Sequence, residues 1–238
     1  MAILRNLALT PREMGLVRPL PPAPAWMSCH FAEEGLRDLP AALPPHSLLI
    51  LDDSTPLGSS PPAEICNILK TAHSRVPFDG LLLDFQRDYE KKYADLAGFL
   101  SENLSCPVAV SEAYGDSVKG PVLLSMPAPH QALPELIRPW RSRELWLELG
   151  MGPETAVVTE TSTVFSPFTG KLPDCPLHHK GLHCHYSIVT GENQICFTLV
   201  RTREDLQDLE AQAEALGITR TLGLYQELGP MINETALH

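Results

Sequence analysis

The sequence predicts an α/β fold, a (β/α)8 TIM-like barrel in which some helices are reduced to loops. Short apolar runs that end in polar residues recur along the chain, as expected of parallel strands covered on both faces. Several of these runs are followed by segments whose apolar residues have the spacing of a helix face. The length of 238 residues also fits, because such barrels typically need about 250 residues.

The segment 78–86 is the clearest of these runs. Both of its faces are largely apolar when it is read with the two-residue period of a strand, and it ends in Asp84 and Gln86. Apolar residues at helical spacing follow over 88–103. Together these residues predict one strand–helix unit, with Asp84 and Gln86 at the carboxyl end of the strand.

The chain before this unit divides into a lead-in and two strands. Residues 1–25 contain five prolines, which favour extended backbone, and we expect an irregular N-terminal arm there. A single barrel domain is then expected over 26–238. Its first strands are expected at 26–31 and 47–54, and a helix follows the turn at 58–62, where a serine precedes two prolines.

The chain after this unit repeats the pattern with shorter connections. Strands are expected at 107–114 and 120–127, which lie too close together for a full helix between them. Another strand is expected at 144–149. A helix over 203–216 and a last strand at 220–227 complete the chain.

A β-hairpin insertion is expected near 185–200, with Gly191 in its turn, after an irregular region at 150–185. Eight strands are then counted, centred near residues 28, 50, 83, 109, 123, 146, 197 and 223. Eight parallel strands close naturally into a barrel. An open doubly wound sheet is the structural alternative, and it would normally carry a glycine-rich phosphate loop after its first strand, which this sequence lacks.

The composition excludes some classes of partner. The net charge is −11 and no basic stripe is present, so we expect neither nucleic acid nor an anionic membrane as a partner. No apolar run approaches the ~20 residues of a membrane span. The six cysteines form no CxxC pair, and Pro11 interrupts the apolar start of the chain, so we expect a cytoplasmic location. The oligomeric state is left open.

The polar residues at the strand ends are the candidate functional groups. In a barrel they collect at the carboxyl-terminal mouth, where such folds keep their sites. They are Asp52, Asp53, Asp84, Gln86, Ser111, Glu112, Glu148, Tyr225, Gln226 and Glu227. Carboxylates that converge in a cleft raise one another's proton affinity, and a carboxylic acid can thereby stay protonated for acid catalysis.

The segment 79–86, which reads DGLLLDFQ, resembles the DGxDxDxE signature of the chitinase-like glycoside hydrolases of family 18. The resemblance implies a (β/α)8 barrel in which the last Glu protonates the glycosidic oxygen and the preceding Asp orients the N-acetyl group of the substrate. Asp79, Gly80 and Asp84 match the signature. Leu82 replaces an acid, however, and Gln86 replaces the general acid.

Three functions remain open on this basis. The first is a catalytically degraded relative that binds a carbohydrate-like or other small polar ligand at the barrel mouth without a cofactor. Its expected ligand-binding residues are Asp53, Gln86, Tyr114, Trp146, Tyr225 and Gln226. The second is an active glycoside hydrolase in which Asp84 acts with Glu112 or Glu227. The third is a non-enzymatic scaffold that binds a partner through the region 150–200.

A histidine-rich segment raises the question of a metal. His178, His179, His183 and His185 surround Cys184, and imidazole and thiolate are good zinc ligands. Their spacing fits no standard zinc finger, and Cys184 would face away from His183 and His185 on a strand. We therefore expect no metal site there.

Overall fold

The computed structural model describes residues 3–125 and 131–229. The strands are, in chain order, β1 (Leu4–Leu9), β2 (Pro24–Phe31), β3 (Leu36–Arg37), β4 (Leu48–Asp52), β5 (Gly80–Asp84), β6 (Val108–Ser111), β7 (Val122–Leu124), β8 (Leu145–Leu149), β9 (Glu154–Val158), β10 (Thr163–Pro167), β11 (Leu177–His179), β12 (Cys184–Thr190), β13 (Ile195–Val200) and β14 (Arg220–Leu224). The helices are α1 (Pro11–Leu16), α2 (Pro62–Arg75), α3 (Lys91–Asn103), α4 (Leu133–Ile137) and α5 (Arg203–Ala215).

Eight parallel strands form a closed barrel, as the sequence predicts. Their order is β1, β14, β8, β7, β6, β5, β4 and β2, and pairing between β1 and β2 closes the ring. β3 adds an antiparallel strand beside β2. The connections are uneven: α2 and α3 are full helices, whereas a 3₁₀ helix at Glu112–Ser117 is all that joins β6 to β7.

The N-terminal segment contributes a barrel strand where the sequence indicated an irregular arm over 1–25. β1 pairs in parallel with both β14 and β2, so the barrel begins at residue 4 and not at residue 26. Leu7 and Leu9 are fully packed against the outer core. Four of the five prolines that suggested an arm lie after this strand, in the connection around α1, and Pro24 is the first residue of β2, so none of them interrupts β1.

The barrel interior is filled by small and branched aliphatic side chains and one tryptophan, which alternate along the strands with outward-facing residues. They are Ala8, Ala25, Leu48, Ile50, Leu82, Ala109, Leu123, Trp146 and Leu222. Gly80 suits this packing, because a Cβ at that position would lie only 3.1 Å from Leu48 Cδ2 and 3.2 Å from Trp146 Cη2, closer than Cβ contacts usually are. Trp146 thus fills the amino-terminal end of the barrel and leaves the opposite end open.

The insertion is larger than the expected hairpin. β12 and β13 form the hairpin near 185–200, but they belong to a five-stranded antiparallel sheet with the order β10, β9, β13, β12, β11. The strand counted near residue 197 is therefore not a barrel strand, and β1 takes its place in the ring. The inserted sheet separates β8 from α5, so it lies after the carboxyl end of a barrel strand.

The helices follow their sequence signals. α5 begins with a capping box in which the Thr202 hydroxyl and the Asp205 carboxylate each bond the other residue's backbone N–H. α3 buries Tyr93, Leu96 and Leu100 against the barrel. In the described part of the chain no helix is long and apolar enough to cross a membrane.

Candidate ligand-binding cleft at the barrel mouth

A cleft of about 200 Å³ opens at the carboxyl ends of the barrel strands. Its polar lining residues are Asp52, Asp84, Gln86, Glu148 and Glu227, and its apolar walls include Met27, Ile50, Leu82, Leu123 and Leu222. Strand alternation explains the arrangement, because residues two apart on a strand share a face. The side chains of the interior layer are thus followed, one layer higher, by carboxylates that point into the cleft.

Asp84 and Gln86 meet at the centre of this cleft. The side-chain amide of Gln86 donates a hydrogen bond of 3.0 Å from Nε2 to Asp84 Oδ2. Desolvation raises the pKa of Asp84, the bond from Gln86 partly offsets that rise, and the charges of Asp52 and Asp53 add to it. Asp84 is therefore a carboxyl group with increased proton affinity. Its partner Gln86 can donate a hydrogen bond but not a proton.

Asp52 lies beside Asp84, because the two residues are register partners on β4 and β5. Its carboxylate is already engaged: His30 Nδ1 lies 2.7 Å from Oδ2, and the backbone N–H of Ser54 donates to Oδ1 at 2.9 Å. These contacts hold the Asp52 carboxylate, a hydrogen-bond acceptor, in a fixed orientation. The residue contributes negative charge to the cleft while its imidazole partner orients it.

Glu148, a strand-end acid for which the sequence predicted no specific role, also lines the cleft. Its side chain is exposed at the mouth, yet the surrounding protein atoms displace enough water for desolvation to raise its pKa. The charges of Asp84 and Glu227 raise the pKa of Glu148 further, and a hydrogen bond with the Ser125 side chain lowers it. The inward position of Glu148, two residues after Trp146 on β8, is the sequence signal that could have identified it.

Glu227 also lines the cleft, but its carboxylate has structural partners. Oε2 accepts hydrogen bonds from the backbone N–H of Met151 at 2.7 Å and of Gly152 at 3.2 Å. These bonds hold the turn that leads from β8 into the inserted sheet. The cleft therefore brings Asp84, Gln86 and Glu227 together, with Asp52 and Glu148 beside them.

Asp53 points the other way from Asp52 and is only 2% exposed. Its two carboxylate oxygens accept hydrogen bonds from the backbone N–H of Gln86 at 3.0 Å and of Arg87 at 3.2 Å. The Arg87 side chain returns a bond of 2.8 Å to the Asp53 carbonyl oxygen. Asp53 was expected to bind ligand, but the structure places it behind the cleft, where it holds the loop that carries Gln86.

Glu112 and Tyr114 lie on the 3₁₀ helix after β6 and are not among the cleft-lining residues. Desolvation raises the pKa of Glu112, while hydrogen bonds with the Ser125 backbone and the Trp140 side chain lower it. Tyr114 is buried, with its ring 5.2 Å from that of Phe85, and its hydroxyl accepts a bond from the Glu90 backbone. The structure therefore does not pair Glu112 with Asp84 across the cleft, nor does it present the Tyr114 ring there.

The remaining expected ligand-binding residues also lie away from the cleft lining. Trp146 is 1% exposed, and its Nε1 donates to Glu144 Oε1 at 3.0 Å at the closed end of the barrel. Tyr225 packs against the outer core, and the Gln226 side chain donates a 2.7 Å bond to Glu13 Oε1. Trp146 does face the barrel interior, but it lies near the amino-terminal end of β8, away from the mouth. Tyr225 and Gln226 follow the end of β14, where residues no longer alternate with the strand.

One cluster of potential metal ligands is present in the described residues, although the sequence led us to expect none. His178, His185 and Asp205 each offer a ligand atom, and these atoms lie within 4.8 Å of one another. The cluster lies between the inserted sheet and the start of α5, apart from the cleft. His183, by contrast, bonds Gln212 at 3.2 Å.

No protein-family model matches the chain, and no curated protein matches it. Solved structures do match. A family 18 chitinase from Cycas revoluta, in complex with (GlcNAc)3, has 8% sequence identity and a TM-score of 0.54 over 92% of this chain and 94% of that one. The C-terminal domain of a putative chitinase from Desulfitobacterium hafniense has 8% identity and a TM-score of 0.53 over 94% and 93% of the two chains.

The spore cortex-lytic enzyme SleL from Bacillus cereus is similar as well, with 11% identity and a TM-score of 0.53 over 93% of this chain and 70% of that one. This chain has the fold of the chitinase-like barrels. The resemblance carried by the segment 79–86 is thus confirmed for the fold. At these identities the likeness shows the fold alone.

Proposed function

We propose that the protein binds a carbohydrate-like or other small polar ligand in the cleft at the barrel mouth and that it has lost acid catalysis there. The observation that carries the proposal is the 3.0 Å hydrogen bond from Gln86 Nε2 to Asp84. In the signature that this segment resembles, the position of Gln86 holds the proton donor. An amide donates a hydrogen bond but cannot transfer a proton to a leaving group at a useful rate.

The cleft keeps the groups that a polar ligand needs. Asp84, Glu148 and Glu227 offer acceptor oxygens for hydroxyl groups, and Gln86 offers both a donor and an acceptor. Apolar side chains such as Ile50 form the walls between them. This mixture, a largely apolar wall with a few converging polar groups, is typical of a small-molecule site.

The size of the cleft favours a short ligand. A volume of about 200 Å³ lies below the roughly 300–1,000 Å³ of pockets that bury drug-sized ligands. Because Trp146, Tyr114 and Tyr225 do not line the cleft, no ring of theirs is presented there for stacking. We therefore expect weak binding of one sugar ring, with a dissociation constant on the order of 1 mM.

The negative charge of the cleft determines which sugars we expect it to bind. Four of its lining residues are carboxylic acids, Asp52, Asp84, Glu148 and Glu227, and the described part of the lining contains no lysine or arginine. Such a field repels anions and favours neutral or positively charged groups. An N-acetylated or free amino sugar fits this field, whereas a uronic acid does not.

Protein-observed NMR titrations test the proposal with N-acetylglucosamine, glucosamine and glucuronic acid. We expect saturable shifts at cleft residues with the first two sugars and none with the third. Asp84→Asn should weaken binding at least about tenfold, because it removes a charged acceptor. Asp95→Asn, on the exposed face of α3, is the matched control and should bind as the wild type does. Equal binding by Asp84→Asn, or strong binding of the uronic acid, would contradict the proposal.

An active hydrolase is the second candidate, and Glu148 is the observation that favours it. Its raised pKa beside Asp84 and Glu227 is the arrangement that keeps one carboxylic acid protonated near ionised neighbours. Of the two partners first expected for Asp84, Glu227 lines the cleft and Glu112 does not. Release of nitrophenol from a chromogenic N-acetylglucosaminide, lost in Glu148→Gln, would support this candidate over the degraded one. The scaffold alternative based on the region 150–200 stays a prediction.

A further inference from the structure

We propose that His178, His185 and Asp205 form a binding site for a divalent transition metal of the zinc class. The cluster is separate from the cleft and independent of the function proposed for it. Two imidazoles and one carboxylate are a ligand set that zinc accepts, and three protein ligands leave a fourth position for water. The ligand atoms of all three residues already lie within 4.8 Å of one another.

The fold itself brings the three residues together. His178 on β11 and His185 on β12 are direct cross-strand partners, so their side chains leave the same face of the inserted sheet. Their rings lie 4.6 Å apart between centroids. Asp205 reaches them from the first turn of α5. The site therefore links the inserted sheet to the helix that packs on the barrel.

The distances fit a single ion. His178 Nε2 lies 2.8 Å from Asp205 Oδ1, and His185 Nε2 lies 3.7 Å from Asp205 Oδ2. Tetrahedral bonds of about 2.0–2.1 Å separate ligand atoms by roughly 3.3 Å, a value between these two distances. The three ligand atoms therefore lie near the spacing that one tetrahedral ion requires.

Asp205 is held in place by bonds that do not involve the histidines. Its Oδ2 accepts hydrogen bonds from the backbone N–H of Thr202 at 2.8 Å and from the Thr202 hydroxyl at 2.9 Å. The carboxylate is therefore oriented by bonds from outside the cluster, as a metal ligand with a defined outer hydrogen-bond shell should be.

Access to the site is open on the histidine side. The side chain of Asp205 is 5% exposed, whereas those of His178 and His185 are 35% and 36% exposed. An ion can thus enter from solvent and keep a water ligand. One group opposes it: the buried guanidinium of Arg201 interacts electrostatically with Asp205. We therefore expect micromolar rather than tighter binding.

Titration of zinc into tag-free, chelator-treated protein, followed by calorimetry, tests the proposal. We expect one equivalent of zinc to bind, and His178→Gln and His185→Gln should each weaken binding about 100-fold. His183→Asn is the matched control, because His183 is two residues from His185 but bonds Gln212, and asparagine tolerates its positive φ of 46°. The control should bind zinc as the wild type does.

Cobalt supplies a readout that a merely structural role of the histidines would not change. The wild type and His183→Asn should develop the visible absorption of tetrahedral cobalt, and both cluster variants should lack it while still showing native thermal unfolding. Absence of stoichiometric binding in the wild type, or equal binding by the cluster variants, would overturn the proposal. Loss of binding in His183→Asn alone would also overturn it, since the site would then lie elsewhere.

Discussion

Gln86 decides what the cleft can do at the level of single residues. By donating a hydrogen bond to Asp84, the Gln86 amide offsets part of the electrostatic repulsion among Asp52, Asp84 and Glu148. An acid at the position of Gln86 would add to that repulsion. The identity of this residue could be read from the sequence once 79–86 was aligned with the family signature. Its hydrogen bond could not, because the distance between side chains two apart depends on how the backbone turns after the strand.

Replacement of Gln86 by Glu tests this account of the residue. The substitution is close to isosteric at an exposed position, so we expect the fold to remain intact. It removes the donor to Asp84 and adds a negative charge, which should lower the free energy of unfolding by about 1 kcal/mol at pH 7. Urea denaturation at pH 7 and at pH 4 measures the effect, which should shrink at the lower pH. A loss that is equal at both pH values would contradict the electrostatic explanation.

The raised pKa values of Asp84 and Glu148 predict a pH dependence of stability. Because the folded protein holds these protons more tightly than the unfolded chain does, stability falls as pH rises from the ordinary carboxyl range through the raised pKa values. Glu148→Gln should remove part of this fall. Glu148 is exposed, so we expect a gain of less than about 1 kcal/mol at pH 7 relative to the wild type. Unfolding curves at several pH values measure the gain, and a net loss at pH 7 would contradict it.

The loops that follow the barrel strands position the cleft residues. Buried polar groups hold these loops in place. The strand at β5 and the helix α3 were both expected from apolar periodicity. The role of Asp53 was not, because adjacent carboxylates at a strand end look alike in a sequence although one faces the cleft and the other the backbone of the next loop. The register of β4 against β5 distinguishes the two carboxylates, because it places Asp52 beside Asp84 and leaves Asp53 to bond the backbone of Gln86.

Asp53→Ala should therefore destabilise the protein strongly. It leaves the backbone N–H groups of Gln86 and Arg87 without their acceptor, at a cost of about 2–4 kcal/mol for the two together. Asp95→Ala, which removes an exposed ion pair with Lys91, is the control and should cost less than about 0.5 kcal/mol. Denaturant unfolding compares the two, and similar costs would contradict the structural role of Asp53.

The barrel as a whole was predictable because its strand pattern repeats, and the errors arose at its first strand and in the inserted sheet. Seven of the eight barrel strands contain the residues near which strands were counted. β1 was missed because a six-residue strand followed by prolines resembles an irregular lead-in. The strand near 197 was misplaced because an alternating strand carries no mark of the sheet to which it belongs.

The pairing of β1 with β14 and β2 predicts that the N-terminal strand contributes to the stability of the barrel. Leu9 is fully buried, so Leu9→Ala should lower the free energy of unfolding by about 2–5 kcal/mol. Leu16→Ala, at a side chain that is 69% exposed, should change it by less than about 0.5 kcal/mol. A small effect of Leu9→Ala would show that the N-terminal segment is not part of the barrel core.

The central claim is that the cleft binds a sugar without cleaving it, and one NMR experiment measures both. Wild-type protein is incubated with the disaccharide of N-acetylglucosamine while protein and sugar signals are followed over hours in the same sample. The account predicts saturable shifts at residues such as Asp84 and Gln86, with no increase in the monosaccharide signal over a protein-free sample. Steady release of monosaccharide that Glu148→Gln abolishes, or the absence of any shift in the cleft, would contradict it.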